Sequence, residues 1–191
     1  TYCLDRIYEW KDNLCIHNPA TGREMSMPHL LKKKVSGLKK IIVVGAGPAG
    51  LEAARVCSEQ GHSVTVFEAS DKPGGQINLI TRSKRRNDMA GIIDWRINIC
   101  EANKVKFNFN SFASKEEILS ENPDIVIIAT GGIPNTDILN EGSDLVVSTW
   151  DILSGNVNIE DDVILYDDAG NYPGLQAAEM ICLLYTSDAA D

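Results

Sequence analysis

The sequence predicts an α/β fold on a parallel sheet, and three observations predict it. Ile41-Ile42-Val43-Val44 is a continuous apolar run of strand length. It turns on Gly45-Ala46-Gly47-Pro48-Ala49-Gly50 into Leu51-Glu52-Ala53-Ala54-Arg55-Val56, which reads as a helix. A second strand, Val64-Thr65-Val66-Phe67, then ends on Glu68, eighteen residues past Gly50.

Strand, glycine turn, helix and acid-tipped strand in this order are the signature of a Rossmann-like FAD/NAD(P)-binding domain. Gly45 permits the tight turn out of the strand. Gly47 lets the backbone approach a pyrophosphate lying on the positive end of the helix, where Pro48 and Ala49 open the first turn. Gly50 lets helix and strand pack closely. Glu68, followed by Ala69, is placed to hydrogen-bond the hydroxyls of an adenosine ribose. The ligand implied is FAD or ADP.

From residue 41 the chain alternates strands and helices. Strands are expected at 41–44, 64–67, 105–109 and 124–128, and helices at 48–60, 87–103 and 114–120. The run Asp124-Ile125-Val126-Ile127-Ile128 is apolar after its first residue, as expected of a strand covered on both faces. Gly174-Leu175-Gln176-Ala177-Ala178 resembles Gly50-Leu51-Glu52-Ala53-Ala54, and each follows an apolar strand, expected at 163–166, Val163 to Tyr166, in the later case. This weak repeat predicts the start of a second Rossmann-like domain. The boundaries expected are 1–27, a linker at 28–40 carrying Lys32-Lys33-Lys34, the first domain at 41–135 and the second from 136 to 181.

Two further turns flank the expected nucleotide. Pro73-Gly74-Gly75-Gln76 leaves the sheet beside Glu68, where bare backbone can lie against a flat or anionic ligand. Ala129-Thr130-Gly131-Gly132 follows the strand at 124–128 and brings small residues to the same edge. Arg82, Lys84, Arg85 and Arg86 read as a solvated loop and helix start. Cys57 and Cys100 fall on helices and read as core residues. His17, His29 and His62 are isolated and read as structural. No catalytic acid, base or nucleophile stands out.

Composition narrows the class. The hydrophobic fraction of 43% and aromatic fraction of 6% fit an ordinary α/β chain. A formal charge of −9, or −7 without Asp188 and Asp191, argues against a nucleic-acid or anionic-membrane partner. No apolar run approaches the roughly 18 residues of a membrane span. Several cysteines beside a nucleotide site suggest a reducing, cytoplasmic setting. The chain begins at Thr1 and reads as an internal fragment. Residues 182–191, from Cys182 to Asp191, match the translation of a sequencing-library adapter and are set aside as an artefact.

Gly45 to Gly50, Glu68, Pro73 to Gln76 and Ala129 to Gly132, in this order and separation, resemble flavoprotein reductases with two dinucleotide domains. Cys3 and Cys15, eleven residues apart, with Cys15 followed by Ile16-His17-Asn18-Pro19, sharpen the likeness. They resemble the end of the iron–sulfur motif in the trimethylamine dehydrogenase and 2,4-dienoyl-CoA reductase family. Thr1-Tyr2-Cys3-Leu4-Asp5-Arg6-Ile7-Tyr8 and Asn18-Pro19-Ala20-Thr21-Gly22-Arg23-Glu24 most resemble its N-methylproline (stachydrine-type) demethylase branch. The resemblance extends over residues 1–181. It implies that Cys3 and Cys15 are the third and fourth ligands of a 4Fe-4S cluster, the others lying upstream. It also implies an FMN-binding barrel upstream, where a small-molecule substrate reacts, and an electron-transfer flavoprotein as acceptor. The alternatives left open are an NAD(P)H-dependent dienoyl-CoA or enoate reductase, and a module whose ADP or FAD is purely structural. In the second unit the turn Asp167-Asp168-Ala169-Gly170-Asn171-Tyr172-Pro173 keeps only the closing Gly174, which predicts that a nicotinamide cofactor is not bound there in the usual way.

Overall fold

Four parallel strands and the helices joining them form the core of the computed structural model, which describes residues 2–157, 162–167, 170 and 172–188. The chain opens with α1 (Tyr2–Tyr8), which buries none of its residues. β1 (Lys40–Val44) leads through the glycine turn into α2 (Pro48–Glu59), and β2 (Ser63–Phe67) follows. Then come α3 (Ile77–Ile80), a 3₁₀ segment (Lys84–Ala90), α4 (Gly91–Ala102), β3 (Lys106–Asn108), α5 (Lys115–Ser120) and β4 (Ile125–Ile128). α6 (Thr149–Ser154) and α7 (Tyr172–Asp188) complete the order. The sheet runs β3-β2-β1-β4, and every neighbouring pair is parallel.

The apolar run of β1 is explained by its two faces. Ile41 and Val43 pack with Leu51 and Ala54 of α2 and with Ile93 and Cys100 of α4. Ile42 and Val44 point the other way, toward Phe67 and Ile118. Successive side chains of a strand alternate sides, so a strand covered twice must be apolar throughout. Leu51 is wholly buried, which is worth about 1.5–3 kcal/mol for such a side chain.

Charge locks the helix layer. Glu52 of α2 accepts from Arg55 at 2.6 Å and from Arg96 of α4 at 2.8 Å, while Arg55 also pairs with Glu59 at 2.7 Å. Both guanidinium groups lie over the Trp95 ring, 5.1 and 5.4 Å from its centre. Each buried arginine thus has carboxylate and aromatic partners, as desolvated cations require.

The structure corrects four expectations. β4 is apolar but not covered: Ile125, Val126 and Ile128 are exposed, because β4 is an edge of the described sheet. The strand expected at 163–166 forms no ladder among the described residues, and Ile164 and Tyr166 stand exposed. Its apolar pattern marks a segment that calls for burial, but a strand exists only where a neighbour pairs with it. The helix of the repeat, α7, does form, with Gly174 and Ala177 buried. The helix expected at 87–103 begins as 3₁₀ and turns α only at Gly91, since Asn87 and Asp88 are poor helix formers. The third strand shrinks from 105–109 to 106–108 between Lys104 and Asn110, whose positive φ angles of 60° and 53° bend the chain out of the ladder. α7 runs through the boundary set at residue 181, and residues 189–191 of the supposed adapter lie outside the described residues.

Candidate nucleotide site

β1, β2 and β4 end side by side, and the three glycine-bearing turns that leave them or follow them converge there. Gly45 has φ +102°, and a Cβ on it would strike the Ala129 carbonyl and come within 3.1 Å of Thr130 N. A Cβ on Gly50 would strike the Gly45 carbonyl oxygen and lie 3.3 Å from Val43. Both glycines are therefore demanded by the protein's own packing. Gly74 donates its N–H to the Ala46 carbonyl at 2.9 Å, which seats the second turn on the first.

Gly47 is different. Its φ of −72° suits any residue, and a Cβ on it would meet nothing within 4 Å. Nothing in the polypeptide asks for glycine here, while the space in front of it is open. Gly47 is the N-cap of α2, with Pro48 next and no acid in the first turn. The orphan N–H groups and the positive end of a 12-residue helix thus face that space with no acid of the helix's own first turn, which favours an anionic ligand. Ala49 is exposed at this end and Gly50 is buried beneath it.

Glu68, at the tip of β2, is nearly buried. Its Oε2 accepts the Ala46 N–H at 2.6 Å and its Oε1 accepts the Ser70 N–H at 2.9 Å. These bonds fix the carboxylate, and each oxygen keeps a second lone pair for a hydroxyl donor. Ala69 and Gln76 are exposed at the mouth, as are Thr130 and Gly131 on the far side. Gly131 has φ +73°, and a Cβ there or at Gly132 would enter open space. Every proposed contact residue of the nucleotide lies on these converging turns.

Two residues at the site were given no role from the sequence. Ala46 is wholly buried and supplies both the donor for Glu68 and the acceptor for Gly74. Asn78 holds the second turn closed, donating from Nδ2 to the Pro73 carbonyl at 3.0 Å. Ala46 stands inside the glycine motif, so its pattern signal was present; a lone asparagine carries none.

The basic run is not a simply solvated loop, which is a further correction. Arg82 Nη1 donates to the Ser154 carbonyl at 2.6 Å, Arg85 pairs with Glu179 at 2.8 Å, and Arg86 lies over the Tyr172 ring at 3.6 Å. Gln176 Nε2 donates to the Ile80 carbonyl at 3.2 Å. The segment after the second turn therefore clasps α6 and α7.

The remaining candidates separate cleanly. Burial pushes the Cys100 thiol up to about 11 and raises that of Cys57 as well, so both stay protonated as core residues. His62 accepts from Lys39 N at 3.1 Å, and His29 shares a 3.1 Å hydrogen bond with Asn18. A cavity of about 580 Å³ lies on the helix layer between His17, His29, Trp95 and Arg96, apart from the glycine turns. Cys3 and Cys15 are half-buried, and among the described residues no group of three or more His, Cys, Asp or Glu is placed to hold a metal. Two thiols are of the right chemistry for a four-iron cluster but half the number, so these residues do not by themselves fit one.

The fold is Rossmann-like, and the sequence profile described as the NAD(P)-binding Rossmann-like domain matches residues 43–104. More particularly, the chain is 54% identical over 180 residues to a Rhizobium meliloti (strain 1021) protein named "Probable N-methylproline demethylase", covering 94% of this chain and 26% of that protein. It is 43% identical to the N,N-dimethylglycine/sarcosine dehydrogenase of Chromohalobacter salexigens, over 94% of this chain and 27% of that one. Among solved structures, a 2-naphthoyl-CoA reductase matches with a TM-score of 0.84 and 34% identity, over 94% of this chain and 27% of that chain. These likenesses bear out the family resemblance drawn from the sequence. The chain spans about a quarter of the length of the relatives it matches. Among the described residues no helix is long and apolar enough to cross a membrane.

Proposed function

We propose that this chain is the dinucleotide-binding, electron-handling portion of an FMN- and 4Fe-4S-dependent oxidoreductase that oxidatively demethylates an N-methylated amino-acid derivative. The observation that carries the nucleotide part is the open space in front of Gly47, at the N-terminal end of α2 and beside a fixed Glu68. Gly45, Gly47, Pro48, Ala49 and Gly50 would bind the pyrophosphate, Glu68 and Ala69 the ribose. Gly74, Gly75, Gln76, Ala129, Thr130 and Gly131 would line the rest. The nucleotide is FAD or ADP; a flavin there would carry electrons, whereas ADP would be structural. Cys3 and Cys15 would complete a cluster with two cysteines of the longer protein.

The demethylase reading rests on the 54% and 43% identities to a protein so named and to a dimethylglycine/sarcosine dehydrogenase. An electron-transfer flavoprotein as acceptor and a cytoplasmic setting belong to the same reading. The second reading, an NAD(P)H-dependent 2,4-dienoyl-CoA or enoate reductase, is favoured by the likeness to 2-naphthoyl-CoA reductase. Denaturing the full-length protein should release FMN together with FAD or ADP; release of FMN alone would remove the nucleotide assignment. Anaerobic N-methylproline should bleach the flavin, and bleaching by NADPH instead would favour the reductase. Cys15→Ala should abolish bound iron and sulfide. Unchanged iron in that variant would make both cysteines structural.

A further inference from the structure

The turns into α2 and α7 differ in what occupies the close approach that glycine permits. At Gly50 the helix packs on bare main chain, the Gly45 carbonyl. At Gly174, its counterpart in the repeat, a Cβ would fall 2.6 Å from Asp167 Cγ and 2.6 Å from Asp167 Oδ2. The closeness that glycine permits is thus already taken up by a carboxylate lying against the first turn of α7. The other oxygen, Oδ1, accepts the Gly170 N–H at 3.0 Å, which holds the side chain in place. At α2 the nearby carboxylate, Glu68, is held on the Ala46 N–H at 2.6 Å, and the space in front of Gly47 stays open.

We propose that Asp167 is a specificity residue that closes the second unit to nicotinamide dinucleotides. The protein's own anion sits at the helix end that a pyrophosphate would need, so an incoming phosphate meets like charge and an occupied close-approach position. The inference rests on the oxidoreductase reading and deepens it: electrons leave to an acceptor other than NAD(P)⁺. The opposing group is Arg86, whose guanidinium lies over the Tyr172 ring at the same helix end and would draw an anion in.

Calorimetric titration of the oxidised full-length protein with NADH and NADPH separates these possibilities. Wild type should show no binding below millimolar concentrations. Asp167→Asn should bind about tenfold tighter or more, the order expected on removing one like-charge pair. Micromolar binding by wild type, weakened by Arg86→Ala, would overturn the proposal. So would an Asp167→Asn protein that binds no tighter than wild type. Retained flavin content shows that the variant is folded, and Asp167→Ser replaces it if flavin is lost. Adenine nucleotide released on denaturation is measured on the same samples. Its absence would sink the nucleotide assignment at Gly47, whatever the titration shows for Asp167.

Discussion

Gly75 leans on Gly47: with φ +52°, a Cβ on Gly75 would come within 3.2 Å of Gly47 Cα. Two glycines from separate turns therefore meet face to face, and only backbone separates the second turn from the space where the nucleotide is expected. The contact makes one bare surface out of two short motifs. It also sets Gly45, Gly50 and Gly75, which the packing of the turns requires, apart from Gly47, which leaves the space in front of α2 open.

Gly47→Val tests that division. Nothing lies within 4 Å of a Cβ at this position and φ is −72°, so the fold should tolerate the change. A cost of roughly 1 kcal/mol or less is expected from altering an N-cap that makes no side-chain bond. The full-length variant should keep FMN and lose the adenine nucleotide. Stoichiometric FAD or ADP in the purified variant would mean that the pyrophosphate does not lie in front of Gly47. Gly50→Ala makes the contrasting control: its Cβ would strike the Gly45 carbonyl, so it should lower soluble yield as well.

Gly75→Ala should damage the site through strain. The left-handed conformation costs a residue with a Cβ about 1–2 kcal/mol, and the 3.2 Å approach to Gly47 adds a clash against backbone. The turn must shift away from Gly47. Nucleotide content should fall with FMN unchanged, and amide exchange in α3, which begins two residues later, should quicken. Unaltered exchange in α3 would show that the Gly75–Gly47 contact does not hold the turn.

The sequence carried the strand–helix–strand unit and its glycine turn well, because its signals are local. Gly45, Gly47, Gly50 and Glu68 lie within one strand–helix–strand unit, where spacing alone fixes position. The continuous apolar run of β1 is of the same kind. What was hidden depends on partners distant in the chain. Arg85 looks like any surface cation until Glu179 is seen 2.8 Å away. Ile125 and Ile128 of β4 signal a need for burial, yet no periodicity reveals that β4 is an edge of this sheet. The run 163–166 misled for the same reason, since a strand is defined by its neighbour.

Glu52 predicts an acid-sensitive helix layer. Burial opposes its ionisation, but the hydrogen bond and charge of Arg55, joined by those of Arg96, outweigh it and hold the carboxyl below its ordinary range. A group depressed in the folded state stabilises fully above its unfolded value, about 4.3 for glutamate. That stability is lost as pH falls through the folded value. Wild-type protection of α2 and α4 amides should therefore drop as pH is lowered below about 4. Glu52→Gln should weaken protection at neutral pH by on the order of 1–3 kcal/mol, leaving Arg96 under-paired, and flatten the acid limb. An acid limb identical in both proteins would remove Glu52 as its source.

The clasp between Arg85 and Glu179 should hold α7 weakly but measurably. Arg85 is 82% exposed, so the pair is worth about 0–1 kcal/mol by itself. Glu179 also takes the Ser83 hydroxyl at 3.4 Å, and Arg86 stacks on Tyr172 nearby, so the contacts act together. Glu179→Lys sets two cations against each other and should speed amide exchange in α7 in the full-length protein. The double swap Arg85→Glu with Glu179→Lys should restore part of the protection, because it rebuilds the pair but not the serine contact. Raising salt should shrink both effects, as for any exposed ion pair. If α7 exchanges equally fast in wild type, single variant and double variant, the basic run is the solvated loop that its composition first suggested.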